Sequence, residues 1–317
     1  MTIAEIKTEL LKAKNVLIFS HNRPDGDTVG SATALSLALR KLGIDTSLVC
    51  AYDIPKKLSY LKGVEEYKKE GFKAENYSLF VSVDCSSESV FSDIYGLYSS
   101  HKKTMNLDHH VSNTRYAKFN FVKDCSATCE LIYELINELG VEIDKDIATS
   151  LLTGIVTDTG GFYHSNVTPE TLYIASKLKS AGADLHEIIY ENFKKQTKER
   201  SNLYTKVISK LRYELDGKVG IITISKNDLE ECNADQSMTE GFIDYAMTID
   251  SVEVAISLLE TGKNRYKISL RSKGKVDVNE IASLYGGGGH ILASGVLMNG
   301  YLEDIISKLC YNVKQRL

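Results

Sequence analysis

His21, Asp25 and Asp27 fall within one short loop, His21-Asn22-Arg23-Pro24-Asp25-Gly26-Asp27-Thr28-Val29-Gly30-Ser31. One imidazole and two carboxylates, with Arg23 as the only cation between them, make a donor set for a divalent metal. Mixed nitrogen and oxygen ligands suit Mn²⁺, Zn²⁺ or Fe²⁺ better than Ca²⁺, which prefers an all-oxygen cage. The same Pro, Gly, Asp and Asn residues are ordinary in an Asx-type turn capping a helix, and from this loop alone both readings stand. Three later clusters carry similar groups: Asp84 in Val83-Asp84-Cys85-Ser86, the run Asp108-His109-His110, and Asp158 in Thr157-Asp158-Thr159-Gly160-Gly161-Phe162. Taken singly, an Asp after a strand is a helix cap as readily as a ligand. Cys85 has no cationic neighbour to activate it and reads as packing.

The segments around these residues show how they could converge. Short unbroken apolar runs, Val16-Leu17-Ile18-Phe19 and Leu79-Phe80-Val81-Ser82-Val83, read as buried parallel strands, as does Thr104-Met105-Asn106-Leu107. Each runs directly into one of the clusters. A further strand is expected over 46–50, with helices over 3–12, 32–42, 126–139 and 144–156. Cys125 and Cys129, four apart, read as core residues of a helix. In an open α/β sheet ligands bind at the carboxyl ends of the strands, and every candidate gathers there.

Residues 169–214 read as mostly helix, with the polar stretch 194–202 as a solvated connector. Beyond it, strands are expected over 219–225, 252–259 and 265–271, the last two joined by a hairpin loop at 261–264. Alternation in the last strand places Lys263, Arg265, Lys267, Ser269, Arg271 and Lys273 on one face and Tyr266, Ile268 and Leu270 on the other. Such a cationic row is a solvated face or an anion platform. The following Gly286-Gly287-Gly288-Gly289-His290 favours the platform, because glycines let backbone N–H groups approach an anion closely.

Composition narrows the classes. With 317 residues, 43% hydrophobic and 25% charged, the chain has room for two globular domains. A net charge of −4 argues against long DNA or RNA as partner, while a small anion held by a local basic patch is allowed. The first residues lack a signal-peptide apolar core, and no apolar run is long enough to cross a membrane. Six cysteines without paired C-x-x-C spacing are expected to be reduced thiols in a cytoplasm.

In order along the chain, the four clusters and the four-glycine His motif resemble the DHH phosphoesterase superfamily, in the branch that carries a DHH-associated domain and acts as nano-RNase and pAp phosphatase. The resemblance implies an α/β fold: an N-terminal parallel-sheet DHH domain with helices on both faces over 1–185, a helical connector over 186–214, and a smaller C-terminal α/β DHH-associated domain over 215–317. It implies two Mn²⁺ ions, with Mg²⁺ or Co²⁺ as alternatives. One would be held by His21, Asp25 and Asp84, the other by Asp27, Asp84, His109 and Asp158, with Asp84 bridging. Asp108 would orient a neighbouring imidazole and His110 would face the scissile phosphate. Arg265, Arg271, Ser272, Gly288, Gly289 and His290 would bind substrate. Ile291 departs from the pattern, since relatives often carry Lys there.

The implied reaction is hydrolysis of very short oligoribonucleotides to 5′-mononucleotides, and of pAp to AMP, by a metal-bridged hydroxide. Two ions sharing a water can activate it and clamp a phosphate. The alternative is a phosphodiesterase acting mainly on linear or cyclic dinucleotides, pApA or c-di-AMP. A pyrophosphatase shares the metal motifs but lacks the four-glycine motif. An inactive binding module would need a broken ligand set, and a nuclease for long single strands would need an extended basic channel. Long duplexes and membranes are not expected partners, and the oligomeric state, a homodimer included, is open.

Overall fold

The computed structural model describes residues 1–317. They form two compact units, Met1–Lys195 and Gln196–Leu317. In the first, the order is α1 (Ile3–Leu11), β1 (Asn15–Phe19), α2 (Gly26–Lys41), β2 (Asp45–Val49), β3 (Leu79–Val83), α3 (Ser92–Ser99), β4 (Thr104–Asp108), β5 (Phe119–Val122), α4 (Thr128–Glu138), α5 (Lys145–Asp158), α6 (Pro169–Ser180) and α7 (Leu185–Ile189). All five strands pair in parallel in the order β2-β1-β3-β4-β5.

Both faces of this sheet are covered, which is why β1 and β3 read as unbroken apolar runs. Val16, Ile18, Val81 and Val83 pack against the helical side formed by α2, α4 and α5. The alternate residues, Leu17, Phe19 and Phe80, pack against Phe91, Ile94 and Tyr98 of the α3 region. Phe19 and Tyr98 meet edge to face with ring centroids 5.1 Å apart. The strand order reverses between β1 and β3. Their carboxyl ends therefore open a crevice at the switch point, and His21 and Asp84 follow those two ends directly.

The second unit contains α8 (Lys198–Ile208), β6 (Arg212–Glu214), β7 (Val219–Ile224), α9 (Lys226–Glu231), α10 (Phe242–Met247), β8 (Val254–Gly262), β9 (Arg265–Ser272), α11 (Val278–Ser283), β10 (Gly288–His290), β11 (Ala293–Asn299) and α12 (Leu302–Lys314). Its sheet runs β10-β11-β9-β8-β7-β6, antiparallel except between β7 and β8. Ile268 and Leu270 are buried while Arg265 and Lys267 are exposed, so the alternation expected in β9 holds.

Several local expectations change. Cys125 lies outside α4, which begins only at Thr128 after extended backbone at Ala127. β5 and β6 are strands that their short, mixed sequences do not announce, and β6 takes the end of a stretch expected to be helical. The polar stretch 194–202 is not simply a solvated linker. It contains the start of α8, whose Leu203 and Val207 are fully buried in the core of the second unit. Upstream, Ile188 of α7 is buried in the core of the first.

Candidate metal centre

Asp25 caps a helix in a geometry that also leaves it compatible with a metal. It is the N-cap of α2, its Oδ1 accepting from the backbone N–H of Asp27 at 3.0 Å and Thr28 at 3.1 Å. The same oxygen lies 3.7 Å from His21 Nε2. Capping fixes the turn, and the turn aims the carboxylate and the imidazole at one point.

Asp84 stands where β3 ends, with φ of 56°. Left-handed backbone is uncommon outside glycine, and Asp is one of the few residues that tolerate it. The side chain is nearly buried and divides its oxygens. Oδ2 is 3.6 Å from His21 Nε2 and Oδ1 is 3.7 Å from His109 Nε2. Thr128 Oγ1 donates to Oδ1 at 2.9 Å and holds the carboxylate in that orientation.

His109 supplies the sharpest test of fit to a cation. Its Nδ1 is 2.9 Å from the carbonyl oxygen of Cys125, so Nδ1 carries the proton. In the neutral ring the Nε2 lone pair then points at Asp84 Oδ1 and at Asp158 Oδ2, 3.4 Å away. A lone pair facing two carboxylates is repelled unless a cation lies between them. Asp158 repeats the point: it is the last residue of α5, where the helix dipole disfavours an anion. Burial and the nearby Asp84 push its carboxyl up to about 6. Asp27 is fully buried, and burial together with Asp84, Asp158 and Asp25 drives its carboxyl well above the usual range.

Ligand atoms of His21, Asp25 and Asp84 lie within 4.8 Å of one another, as do those of Asp27, His109 and Asp158. These two groups, joined by the divided oxygens of Asp84, fit a pair of divalent ions. The six expected ligands are thus brought together, four by the loops after β1, β3 and β4 and the others by the first turn of α2 and the end of α5.

Behind them lies a second set of contacts. Asp108 is fully buried, with Oδ1 2.8 Å from His110 Nδ1 and Oδ2 accepting from Asn113 Nδ2 at 2.6 Å. The bond to Asp108 outweighs burial and raises His110 to about 9. His110 also borders a cavity of about 760 Å³ that holds His21, Asp25, Asp84 and Asp158 along one side. Cys85 is fully buried and burial drives its thiol well above the usual range, as expected of packing.

Supporting residues that motif reading did not single out include Thr128, Gly154 and Asn113, and the far wall of the cavity with Asn22, Tyr52, Ser92 and Asp93. One signal was available: Asn106 is a polar residue inside an apolar strand, and it is buried with its Nδ2 bonded to Ser82 Oγ at 3.0 Å and its Oδ1 accepting from Asn113.

In the second unit, in-register pairing lines up His290, Ala293, Arg271 and Ala255 across four strands. Directly opposed residues share a face, so His290 and Arg271 project on the same side, two strands or about 9–10 Å apart. The next row of that face, Gly288, Gly295, Ser269 and Ser257, is small throughout. Ser272 is not brought to this face. It follows Arg271 on the opposite side, is 7% exposed, and its Oγ accepts from Gly274 N–H at 3.0 Å.

The glycine run is also partly corrected. A Cβ at Gly287 would fall 2.3 Å from the Gly295 carbonyl oxygen, and one at Gly289 2.4 Å from that of Ala293. Those two glycines are required by the close passage of β11. Gly288 is exposed and meets nothing closer than 3.9 Å, so packing does not explain it.

Residues 15–155 match the N-terminal domain of the DHH family, and residues 216–315 match the DHHA1 domain. The bifunctional oligoribonuclease and PAP phosphatase NrnA of Thermus thermophilus is 30% identical over 315 residues, covering 98% of this chain and 93% of its own. The crystal structure of an exopolyphosphatase-related protein from Bacteroides fragilis superposes with a TM-score of 0.88 at 25% identity, covering 99% of this chain and 95% of that one. RecJ of Thermus thermophilus in complex with Mn²⁺ shares the fold, with a TM-score of 0.55 at 13% identity over 98% of this chain and 54% of its own. With both matched domains in family order around an intact acid and imidazole cluster, this chain belongs to the DHH family of metal-dependent phosphoesterases, in the branch that carries a DHHA1 domain.

Proposed function

We propose that this protein hydrolyses very short oligoribonucleotides to 5′-mononucleotides and removes the 3′-phosphate of pAp. The single observation that carries this reading is the division of the Asp84 carboxylate between two complete donor groups, joined to the full-length likeness to an oligoribonuclease and PAP phosphatase. Mn²⁺ is the proposed ion, since mixed imidazole and carboxylate donors suit it. His21, Asp25 and Asp84 would hold one ion, and Asp27, Asp84, His109 and Asp158 the other. Once bound, such a pair supplies an activated water and offsets the charge of the phosphate.

The chain's own residues do the rest. Asp108 binds His110 at Nδ1 and raises its basicity, leaving Nε2 available for proton exchange with an anion or a leaving oxygen. Arg265, Arg271, Gly288, Gly289 and His290 would bind the substrate's phosphates. Arg271 is suited to this because its one salt-bridge partner, Asp244, stands as far as 3.9 Å from Nε. We also place the protein in a cytoplasm, supported by six cysteines that are all free. No helix is long and apolar enough to cross a membrane.

The test is an Mn²⁺-supplemented assay comparing pAp, di- to pentaribonucleotides, pApA, cyclic di-AMP and pyrophosphate. Trimers to pentamers and pAp should turn over as readily as dimers. A clear preference for pApA or cyclic di-AMP over trimers to pentamers and pAp would select the dinucleotide reading instead. Hydrolysis of pyrophosphate alone, or of nothing in the panel, would reject the proposal.

A further inference from the structure

The cavity beside the metal donors extends well past them, and its far wall has a different chemistry. The backbone N–H of Asn22 donates to the Val90 carbonyl at 2.8 Å, which ties the β1 loop to the turn preceding α3. That bond places the first residues of α3 in the cavity wall. Asn22 Nδ2 donates to Ser92 Oγ at 3.4 Å, and Ser92 Oγ donates to Asp93 Oδ1 at 3.3 Å. Asn22 Oδ1 is buried and has no hydrogen-bond partner. The Asp93 carboxylate beside the Tyr52 hydroxyl keeps that phenol protonated, above its usual pKa, and the Tyr52 side chain is half exposed.

Asp93 sits in the first turn of α3 but caps no backbone N–H, and it forms no salt bridge. It lines the cavity with its carboxylate beside the Ser92 and Tyr52 hydroxyls, an exposed acceptor with capacity left for a ligand donor. The Asp93 carboxylate disfavours phosphate at its end of the cavity, although Arg23 also lines it, while the metal side of the same cavity attracts phosphate. A ligand filling both ends must be an anion at one end and a donor-bearing, flat or polar group at the other. A nucleotide has that polarity, and aromatic rings hold the bases of single-stranded nucleic acids by stacking. A base lying on the Tyr52 ring would bring its edge towards Asp93, which stands at the hydroxyl end of that ring.

We infer that Asn22, Tyr52, Ser92 and Asp93 form a nucleobase subsite that favours bases with adjacent N–H donors on one edge, guanine foremost. Guanine presents an imino and an amino N–H side by side, which two carboxylate oxygens can accept together. Adenine and cytosine present one amino group, and uracil a single imino N–H flanked by acceptors. The inference rests on the nucleotide reading proposed above and adds base selection to it.

The experiment measures kcat/KM for GpG, ApA, CpC and UpU, with Mn²⁺, in the full-length protein and in Asp93→Ala. The wild-type protein should prefer GpG to UpU, and the alanine variant should lower that GpG-to-UpU ratio by about tenfold, the size of a lost hydrogen bond to a charged group. Tyr52→Ala should raise KM for all four dinucleotides, whereas Tyr52→Phe, which keeps the ring, should not. If Asp93→Ala does not fold, Asp93→Asn reads the same ratio. An unchanged ratio, or no preference in the wild-type protein, overturns the subsite. Wild-type turnover of bis(p-nitrophenyl) phosphate without turnover of any dinucleotide would instead reject the nucleotide reading itself.

Discussion

The backbone N–H of Cys129 donates to Oδ1 of Asp27 at 2.9 Å, and the neighbouring N–H of Thr128 donates to Oδ2 at 2.6 Å. The amino end of α4 thus grips a buried metal-type carboxylate from behind, with unpaired N–H groups and the positive end of the helix dipole. This grip lets an acid sit fully buried among three other acids before any cation arrives. It also depends on α5 passing close by.

Gly154 of α5 is the position that permits the passage. A Cβ there would lie 2.2 Å from Cys129 Sγ and 2.7 Å from Asp27 Oδ1. Gly154→Ala should gain helix propensity of about 1 kcal/mol. It should nevertheless be destabilised overall, because overpacking a closed core costs about 1–3 kcal/mol and here adds to it a displaced ligand. A lower melting temperature together with reduced bound metal per chain is the expected result. A more stable variant with full metal content would show that the neighbours yield freely.

Asp84→Asn isolates charge from shape. Asn also tolerates the left-handed backbone found at this position, so the fold should survive. Replacing an anion shared by two sites should abolish turnover and reduce bound metal towards one ion per chain. Metal analysis and an assay over a range of Mn²⁺ concentrations check this. Near-normal turnover at any concentration would count against a bridging carboxylate.

The adjacent imidazoles should fail in different ways. His109 points its free nitrogen at Asp84 and Asp158, so His109→Ala should lose metal. His110 spends its Nδ1 on Asp108, so His110→Ala should keep both ions and lose kcat by about 10²–10⁴-fold, the usual size of a lost acid-base group. Metal content of the two purified variants distinguishes them. If both retain two ions, His109 is not a ligand.

Without metal, the site should make stability fall as pH rises. Burial opposes charging of His21, but Asp25 and Asp84 beside it overcome this and hold it up to about 10, above its ordinary 6.5. The stabilisation from its charged form is complete below 6.5 and is lost as pH climbs through about 10. Asp158, raised from 3.8 to about 6, acts in the same direction: its neutral form stabilises below 3.8, and that contribution is lost as pH passes about 6. Metal binding expels these protons, so affinity should rise with pH. The melting temperature of the EDTA-treated protein should drop between pH 6.5 and about 10, while the gap to the Mn²⁺-loaded protein widens. A flat apo-protein profile would contradict this electrostatic account.

Arg271→Ala should leave both ions bound and weaken dinucleotide binding by about 10–100-fold, as a lost guanidinium–phosphate contact would. Lys267 shares its strand face, so Lys267→Ala is the comparison, with a smaller loss expected from a point charge. An Arg271 variant with unchanged kcat/KM would remove this face from substrate binding.

Much of the first unit was legible locally. A strand buried on both faces must be apolar throughout, so β1 and β3 stand out, and polar residues at their ends mark where the chain leaves the sheet. The convergence of imidazoles and carboxylates was legible too, since their clusters stand at the ends of those strands. The alternation of β9 identified its cationic face, because a period of two needs no partner to be seen. Other features arise only from pairing of distant segments. Asp27 meets Thr128 across 101 residues, and nothing in either neighbourhood encodes that bond. The need for Gly287 and Gly289 comes from β11 lying against them, and Gly288 escapes it by alternation. β5 becomes a strand because the edge of β4 is open to it, its own residues being only half buried. The Asn22–Asp93 wall is likewise a product of folding, since one backbone bond from the β1 loop to Val90 brings two separate segments to the same cavity. Residue types along the chain determine which groups are available for chemistry, but close approach and shared burial decide which of them act together.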